Sequence, residues 1–362
     1  MLVLDMPLIK HSLATHCVPA DLLAGAVPFS RPPRVGDLVV AEVLKVGRHT
    51  TVENRGGVAT YLFPGDTIVG VFGNRYATDQ YEAYVPDQAV AECDLLSAGG
   101  VCGEVVSRHA SMAPPTRLRL LGLGCDGRGR PLNTRDFALP LLDGGDDRGE
   151  VILVVGSSMN AGKTTTAGTI VRALSRAGST VAAAKVTGTA SGKDGRYLGS
   201  CGARPMLDFT DAGFPSTYLA SLDELLRVHR VLLSHLRAVH PDYIVLEVAD
   251  GVVQRETRLL LDSAEFCRGI AHVLFAAGDS LSAATGVRLL RERGLPLRAV
   301  SGAVTQSELA MREVEEVTGV RCLGTEQMMA GELPGLLRGA RPALSLVGAV
   351  GTNAFAPNGL AV

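Results

Sequence analysis

The sequence contains no tryptophan, and its aromatic residues amount to only 4% of the chain. That argues against a platform on which single-stranded nucleic acid would stack its bases. No block of lysine and arginine occurs and the formal net charge is -2, so no nucleic-acid partner is expected on electrostatic grounds. The seven cysteines, at 17, 93, 102, 125, 201, 267 and 322, include no C-x-x-C pair. Scattered spacing and an odd count disfavour a disulfide framework or a zinc ribbon and suit the reduced thiols of a cytoplasmic protein. No apolar run reaches the roughly 18 residues of a membrane span. The opening MLVLDMPLIKHSLATHC lacks the basic stretch and sustained apolar core of a signal peptide. What remains is an ordinary globular composition, 46% hydrophobic and 20% charged over 362 residues, which is enough for two domains of about 100–200 residues each.

Patterning divides the chain into unequal parts. From Val35 to about Leu123 the apolar runs are short and β-rich, as in DLVVAEVLKV, ATYLF, DTIVGVFG and TRLRLLGL, with turn residues such as Pro64-Gly65-Asp66 and Gly73-Asn74 between them. This predicts a small, mainly β barrel or sandwich over residues 1–142. Residues 143–150, DGGDDRGE, read as a linker. Beyond it, apolar strands at 151–155, 179–186, 242–248, 271–277 and 297–304 alternate with helical periodicity at 164–177, 221–239, 282–293 and 307–318, and a short strand is expected at Val320–Leu323. The alternation predicts an α/β domain over 151–362, a parallel sheet covered by helices on both faces. In such a sheet, ligands gather at the carboxyl ends of the strands.

One of those ends carries a motif. VILVVGSSMNAGKTTTAGTIVRAL runs from a strand through small residues into Gly162-Lys163-Thr164 and a helix, the order that a phosphate-binding loop requires. Gly156, Ser158, Asn160, Ala161, Gly162, Lys163, Thr164 and Thr165 are the candidate nucleotide ligands. Their amides and the helix N-terminus would supply positive charge. Lys163 would reach the β- and γ-phosphates and the Thr164 hydroxyl would hold magnesium. The glycine pair departs from the usual spacing, because the position four residues before Ala161 is Ser157 and the glycine sits one place earlier, at Gly156.

With that shift, G-S-S-M-N-A-G-K-T resembles the loop of dethiobiotin synthetase, a G-T-D-x-x-V-G-K-T type within the P-loop NTPase fold group. The likeness continues at Lys185 in AAAKVTGTASG, similar to that family's lysine after its second strand, and at Glu247 in DYIVLEVADG, similar to its V-E-G-A-G-G. It covers about residues 151–330. It departs at Val186, where the family has proline, at Val248-Ala249-Asp250-Gly251 in place of the double glycine, and at Thr305-Gln306 in place of an adenine-reading asparagine. The β domain has no counterpart there. The resemblance implies an ATP- and Mg²⁺-dependent enzyme, with GTP an open alternative, that phosphorylates or ligates a small carboxylate or carbamate and allows a homodimer.

In this reading Lys163, Lys185 and Glu247 are the catalytic residues, and Thr164, Glu247 and Asp208 are the candidate metal ligands. Lys185 ends an apolar strand, where a buried cation needs an anion, and would steady a phosphoryl group in transfer. A carboxylate such as Glu247 at a strand end beside phosphates suits magnesium or a nucleophile. Asp208 and Asp211 in MLDFTDAGF equally suit turn capping. Thr187, Thr189, Ser191 and Lys193 form a polar loop fit for an anionic substrate. Asp250, Arg255 and Glu256 follow Glu247 and would face that substrate, whereas Asp279 reads as a helix cap. His11, His16 and Cys17 are expected in a frayed terminus. A second reading makes the chain an NTPase switch or maturation factor, its β domain docking a protein partner. The loop's Ser157-Ser158-Met159, which has no second lysine, tilts the balance to the enzyme.

Overall fold

The computed structural model describes residues 2–3, 9–143 and 148–338. Four positions of the expected linker, 144–147, and the tail from 339 onward lie outside the described residues.

Among the described residues, the amino-terminal part has twelve strands: β1 (Leu2–Val3), β2 (Lys10–His11), β3 (Gly25–Val27), β4 (Leu38–Lys45), β5 (Thr51–Glu53), β6 (Ala59–Tyr61), β7 (Thr67–Phe72), β8 (Arg75–Tyr76), β9 (Tyr81–Tyr84), β10 (Glu92–Leu95), β11 (Val101–Arg108) and β12 (Thr116–Cys125). Strand β12 pairs with β4, β4 with β7, β7 with β11, β11 with β10, and β10 returns to β12. The ring of five strands closes, so this part is a barrel, and closure removes the edges that an open sheet of short strands would expose. Alternate side chains of β4 enter different apolar clusters, Val39, Ala41 and Val43 in one and Leu38 and Val40 in the other, as the period of two in a pleated strand demands.

Among the described residues, the larger part carries six parallel strands and their helices. In chain order these are β13 (Glu150–Gly156), α1 (Lys163–Arg176), β14 (Val181–Lys185), α2 (Gly192–Cys201), β15 (Met206–Asp208), α3 (Leu222–Arg237), β16 (Tyr243–Glu247), α4 (Arg255–Leu261), α5 (Ala264–Cys267), β17 (Ile270–Ala276), α6 (Ser280–Glu292), β18 (Leu297–Ser301) and α7 (Glu308–Thr318), followed by two short helices at Thr325–Gln327 and Leu333–Arg338. The sheet order is β15-β14-β16-β13-β17-β18. Strand β13 is apolar on both faces, with Val151, Leu153 and Val155 in one core and Ile152 and Val154 in the other, the signature of a parallel strand covered twice. The fold is thus a smaller β domain followed by a parallel α/β domain.

The two parts are packed together. Ala190, from the loop after β14, is buried in the barrel's own apolar cluster beside Ala14 and Val18. Glu53 accepts from the Gly192 amide at 2.8 Å and from Arg196 at 2.7 Å, which ties the barrel to the start of α2. The segment around His11–Cys17, expected to fray, is instead ordered by this packing. Residues Leu13–Thr15 form a 3-10 turn, Ala14 is buried, and His16 pairs with Asp211 at 3.1 Å. Two other expectations also change. Cys322 makes only an isolated bridge to Val300 where a strand was expected at 320–323, and the polar loop after Lys185 is cut short by α2.

Candidate active site

Register places the key side chains. In the parallel ladders, Glu247 of β16 lies opposite both Val154 of β13 and Lys185 of β14. The carboxyl ends of three neighbouring strands therefore bring Lys185, Glu247 and the loop after β13 to one spot.

Strand β13 ends at Gly156 and α1 begins at Lys163. A Cβ on Gly156 would stand 2.7 Å from the Lys163 Cγ and 2.9 Å from the Ala276 carbonyl oxygen. Only glycine lets the lysine stem fold back across the loop, which accounts for a glycine at 156 rather than 157. Gly162 has φ 96°, and a Cβ on it would reach the Gly302 Cα at 2.9 Å, so the loop closes tightly against the turn after β18. The Ala303 amide donates to the Ala161 carbonyl at 3.0 Å to secure that contact.

Lys163 is only 6% exposed and donates from Nζ to the Ser158 carbonyl at 2.7 Å. Burial lowers its pKa, and the charges of Glu247 and Asp250 oppose that shift. The Thr164 hydroxyl donates to Glu247 Oε1 at 3.0 Å. Glu247 is 1% exposed, and its Oε2 has no hydrogen-bond partner. A buried carboxylate oxygen without a donor is costly. Beside a threonine hydroxyl and a phosphate loop it has the chemistry of a ligand for a hard divalent cation, so these residues fit magnesium. Lys185 Nζ contacts Asp194 and lies 3.8 Å from Glu247 Oε1. Burial alone would lower the Lys185 pKa, but Glu247 and Asp194 outweigh it and hold the ammonium charged.

A cavity of about 600 Å³ lies over the loop, lined by Asn160, Lys163, Thr164, Thr165, Lys185 and Glu247 among others. A second, of about 290 Å³, shares Met159, Lys185, Asp194 and Asp250 with it and is walled on the far side by Arg75, Tyr76 and Gln80 of the barrel. The barrel also touches the loop itself, where Asn160, at φ 63°, donates to Asp79 at 3.0 Å. Asp250 has φ 61°, a region that disfavours a residue with a side chain. Burial raises its carboxyl pKa to about 6 against the opposing pull of Lys163 and Lys185.

Of the residues singled out from sequence, Gly156, Ala161, Gly162, Lys163, Thr164, Lys185 and Glu247 converge as described. Ser158 donates to the neighbouring Met159 carbonyl, and Thr165 is exposed on the rim. Asp208 lines neither cavity. Its Oδ1 accepts from the Thr210 amide at 2.7 Å, so the geometry gives it the turn-capping role. Asp279 caps α6 by accepting from the Ser282 amide at 2.8 Å. Arg75, Asp79, Asp194 and Tyr218 were not found from sequence. They sit in a two-residue strand, in short turns and on a helix with no motif, and only tertiary packing brings them to the site.

No protein-family model matches the chain, and no curated protein matches it. Among solved structures, the signal recognition particle 54 kDa protein of Aeropyrum pernix K1 in complex with GDP shares 18% identity over 55% of this chain, with a TM-score of 0.36. The match spans only 50% of that chain. FtsY of Elizabethkingia anophelis in complex with GDP shares 17% identity over 53% of this chain and 63% of its own, with a TM-score of 0.36. The kinase domain of Escherichia coli tyrosine kinase ETK shares 14% over 43% of this chain and 67% of its own, with a TM-score of 0.32. No helix among the described residues is long and apolar enough to cross a membrane.

Proposed function

We propose that the chain is a magnesium-dependent ATP-using enzyme that activates a small carboxylate or carbamate by phosphoryl transfer, as a kinase or as the first half of a ligation. The observation that carries this reading is the joining of the loop cavity to a second, barrel-walled cavity across Lys185 and Asp250. A triphosphate lying along the loop amides would point its terminal phosphate toward that second space. Thr164 and Glu247 would hold magnesium, which supplies charge neutralisation on the phosphates. Lys163 binds the phosphates. Lys185, kept charged by its two carboxylates, faces the group in flight. A substrate oxygen in the second cavity forms the new bond to phosphorus as the bridging P–O bond to ADP breaks, and the charge spreading over the transferred group meets the Lys185 ammonium.

Separate measurement of nucleotide affinity and ADP release tests this. Lys185→Met should lower substrate-dependent turnover about a hundredfold or more while shifting nucleotide affinity much less, because the lysine acts on charge that develops in the transition state. Equal losses in both, or none, would remove Lys185 from the chemistry.

A second reading, a switch that answers to a protein partner, draws on one feature. Val58, Tyr61 and Phe63, in and beside the β5–β6 hairpin, are each more than half exposed, and exposed apolar side chains in a cluster suit docking. Hydrolysis that no small molecule stimulates but a protein accelerates would favour it.

A further inference from the structure

The second cavity contains a charge that the phosphoryl chemistry does not use. Arg75 stands in the two-residue strand β8 and is only 8% exposed. Its Nη2 donates to Gln80 Oε1 at 2.6 Å, while Nε and Nη1 are buried with no acceptor. Among the described residues no carboxylate comes within ion-pair distance of it. A guanidinium does not escape burial by losing its proton, so this arrangement costs stability unless an anion completes it.

The cavity around it narrows the choice of anion. Asp250, Asp194, Lys185 and Lys193 line the same space, and Asp194 is paired with Lys185, so Arg75 and Asp250 are left as a guanidinium and a carboxylate that one ligand carrying both an anionic group and a hydrogen-bond donor would complete. Asp250 receives no hydrogen bond from the described residues and stands ready to accept one from a ligand. Glu256 is different, because its carboxylate is already engaged by the Leu219 amide at 3.0 Å and by Arg255 at 2.6 Å. Tyr76 and Tyr218, with ring centroids 5.4 Å apart, add an apolar edge.

We infer that Arg75 of the barrel binds the carboxylate of a small substrate that also carries a hydrogen-bond donor for Asp250, as an amino acid or a hydroxy acid does. This inference rests on the enzyme reading above and gives the barrel a part in the site. The substrate would enter the cavity with its carboxylate on Arg75 and its donor on Asp250, and would present its reacting oxygen toward Lys185.

The test uses the full chain with magnesium and ATP, and acid–amide pairs as probes: L-serine with L-serinamide, L-glutamate with its α-amide L-isoglutamine, and lactate with lactamide. ADP release and melting temperature are followed in wild type, Arg75→Met and Arg75→Lys. In the wild type, at least one acid should raise ADP release or melting temperature where the amide lacking its α-carboxylate does not. Arg75→Met should raise the half-saturating concentration of that acid tenfold or more, and Arg75→Lys, which keeps charge but not the fork, should fall between. Should Arg75→Met fail to fold, Arg75→Lys alone decides, since a purely structural arginine would leave the acid response unchanged. No response to any of the acids, equal responses to acid and amide, or an unaltered response in the variants would overturn the inference. Titration of ATP into the wild type separates the two levels. Without nucleotide binding the enzyme reading fails, and with it only the assignment of Arg75 is at stake.

Discussion

The two cavities are built in opposite ways. The nucleotide cavity comes from one contiguous stretch, Gly156–Thr165, with Lys185 and Glu247 added by the register of adjacent parallel strands. Its groups are locked by short local contacts, such as the Lys163 stem over Gly156 and Thr164 on Glu247. The second cavity is assembled from segments far apart in sequence, from Arg75 to Glu256, and belongs to both domains. Phosphate binding needs amides and a helix terminus, which a loop supplies by itself. Selecting a small molecule needs side chains converging from several directions, and here the barrel provides one wall. In the proposed reading the loop cavity carries the general chemistry, and the barrel makes it particular.

The largest effect that would sharpen this contrast is at Lys163. Lys163→Ala removes the charged partner of the phosphates and should weaken ATP binding about a hundredfold or more, seen by calorimetric titration of ATP and GTP, while leaving the barrel's thermal unfolding in place. Undiminished affinity would break the contrast at its root, since the loop would then not be what holds the nucleotide.

A smaller effect is expected at Asp250, on the side of the second cavity. Its folded pKa, raised to about 6 by burial, lies above that of an exposed aspartate. The folded state thus binds the extra proton as pH falls through 6, and keeping the carboxylate charged costs stability above that pH. Asp250→Asn should raise stability at pH 7 by about 1 kcal/mol and lower turnover with any stimulating substrate. In the wild type, turnover should fall below pH 6 while nucleotide affinity holds. Stability lowered by the substitution, or affinity and turnover falling together, would mean that Asp250 serves the loop and not the substrate.

The same contrast explains what the sequence disclosed. Strands β13, β16 and β17 are apolar along most of their length, β17 with the buried His272 inside it, because both of their faces are covered, and α1 begins at Lys163 inside the Gly162-Lys163-Thr164 motif, so pattern and motif agree. Lys185 and Glu247 were legible because a charge at the end of an apolar run is an anomaly with a local signature. Arg75 and Asp194 have none. An arginine after Gly73-Asn74 reads as a turn, and Asp194 reads as an ordinary first-turn acid of a helix, until the fold sets them against the phosphate loop. The packed segment at His11–Cys17 was misread for a related reason, since its partners, Asp211 and Ala190, lie in the other domain.

The most direct test of the whole account is a structure of the full chain with a nonhydrolysable ATP analogue and magnesium. The triphosphate should follow the amides of Gly156–Thr165, with the metal touching Thr164 Oγ1 and the open Oε2 of Glu247 and the terminal phosphate beside Lys185, facing the cavity that Arg75 walls. A nucleotide bound elsewhere, or a terminal phosphate turned away from that cavity with Glu247 still unengaged, would contradict it.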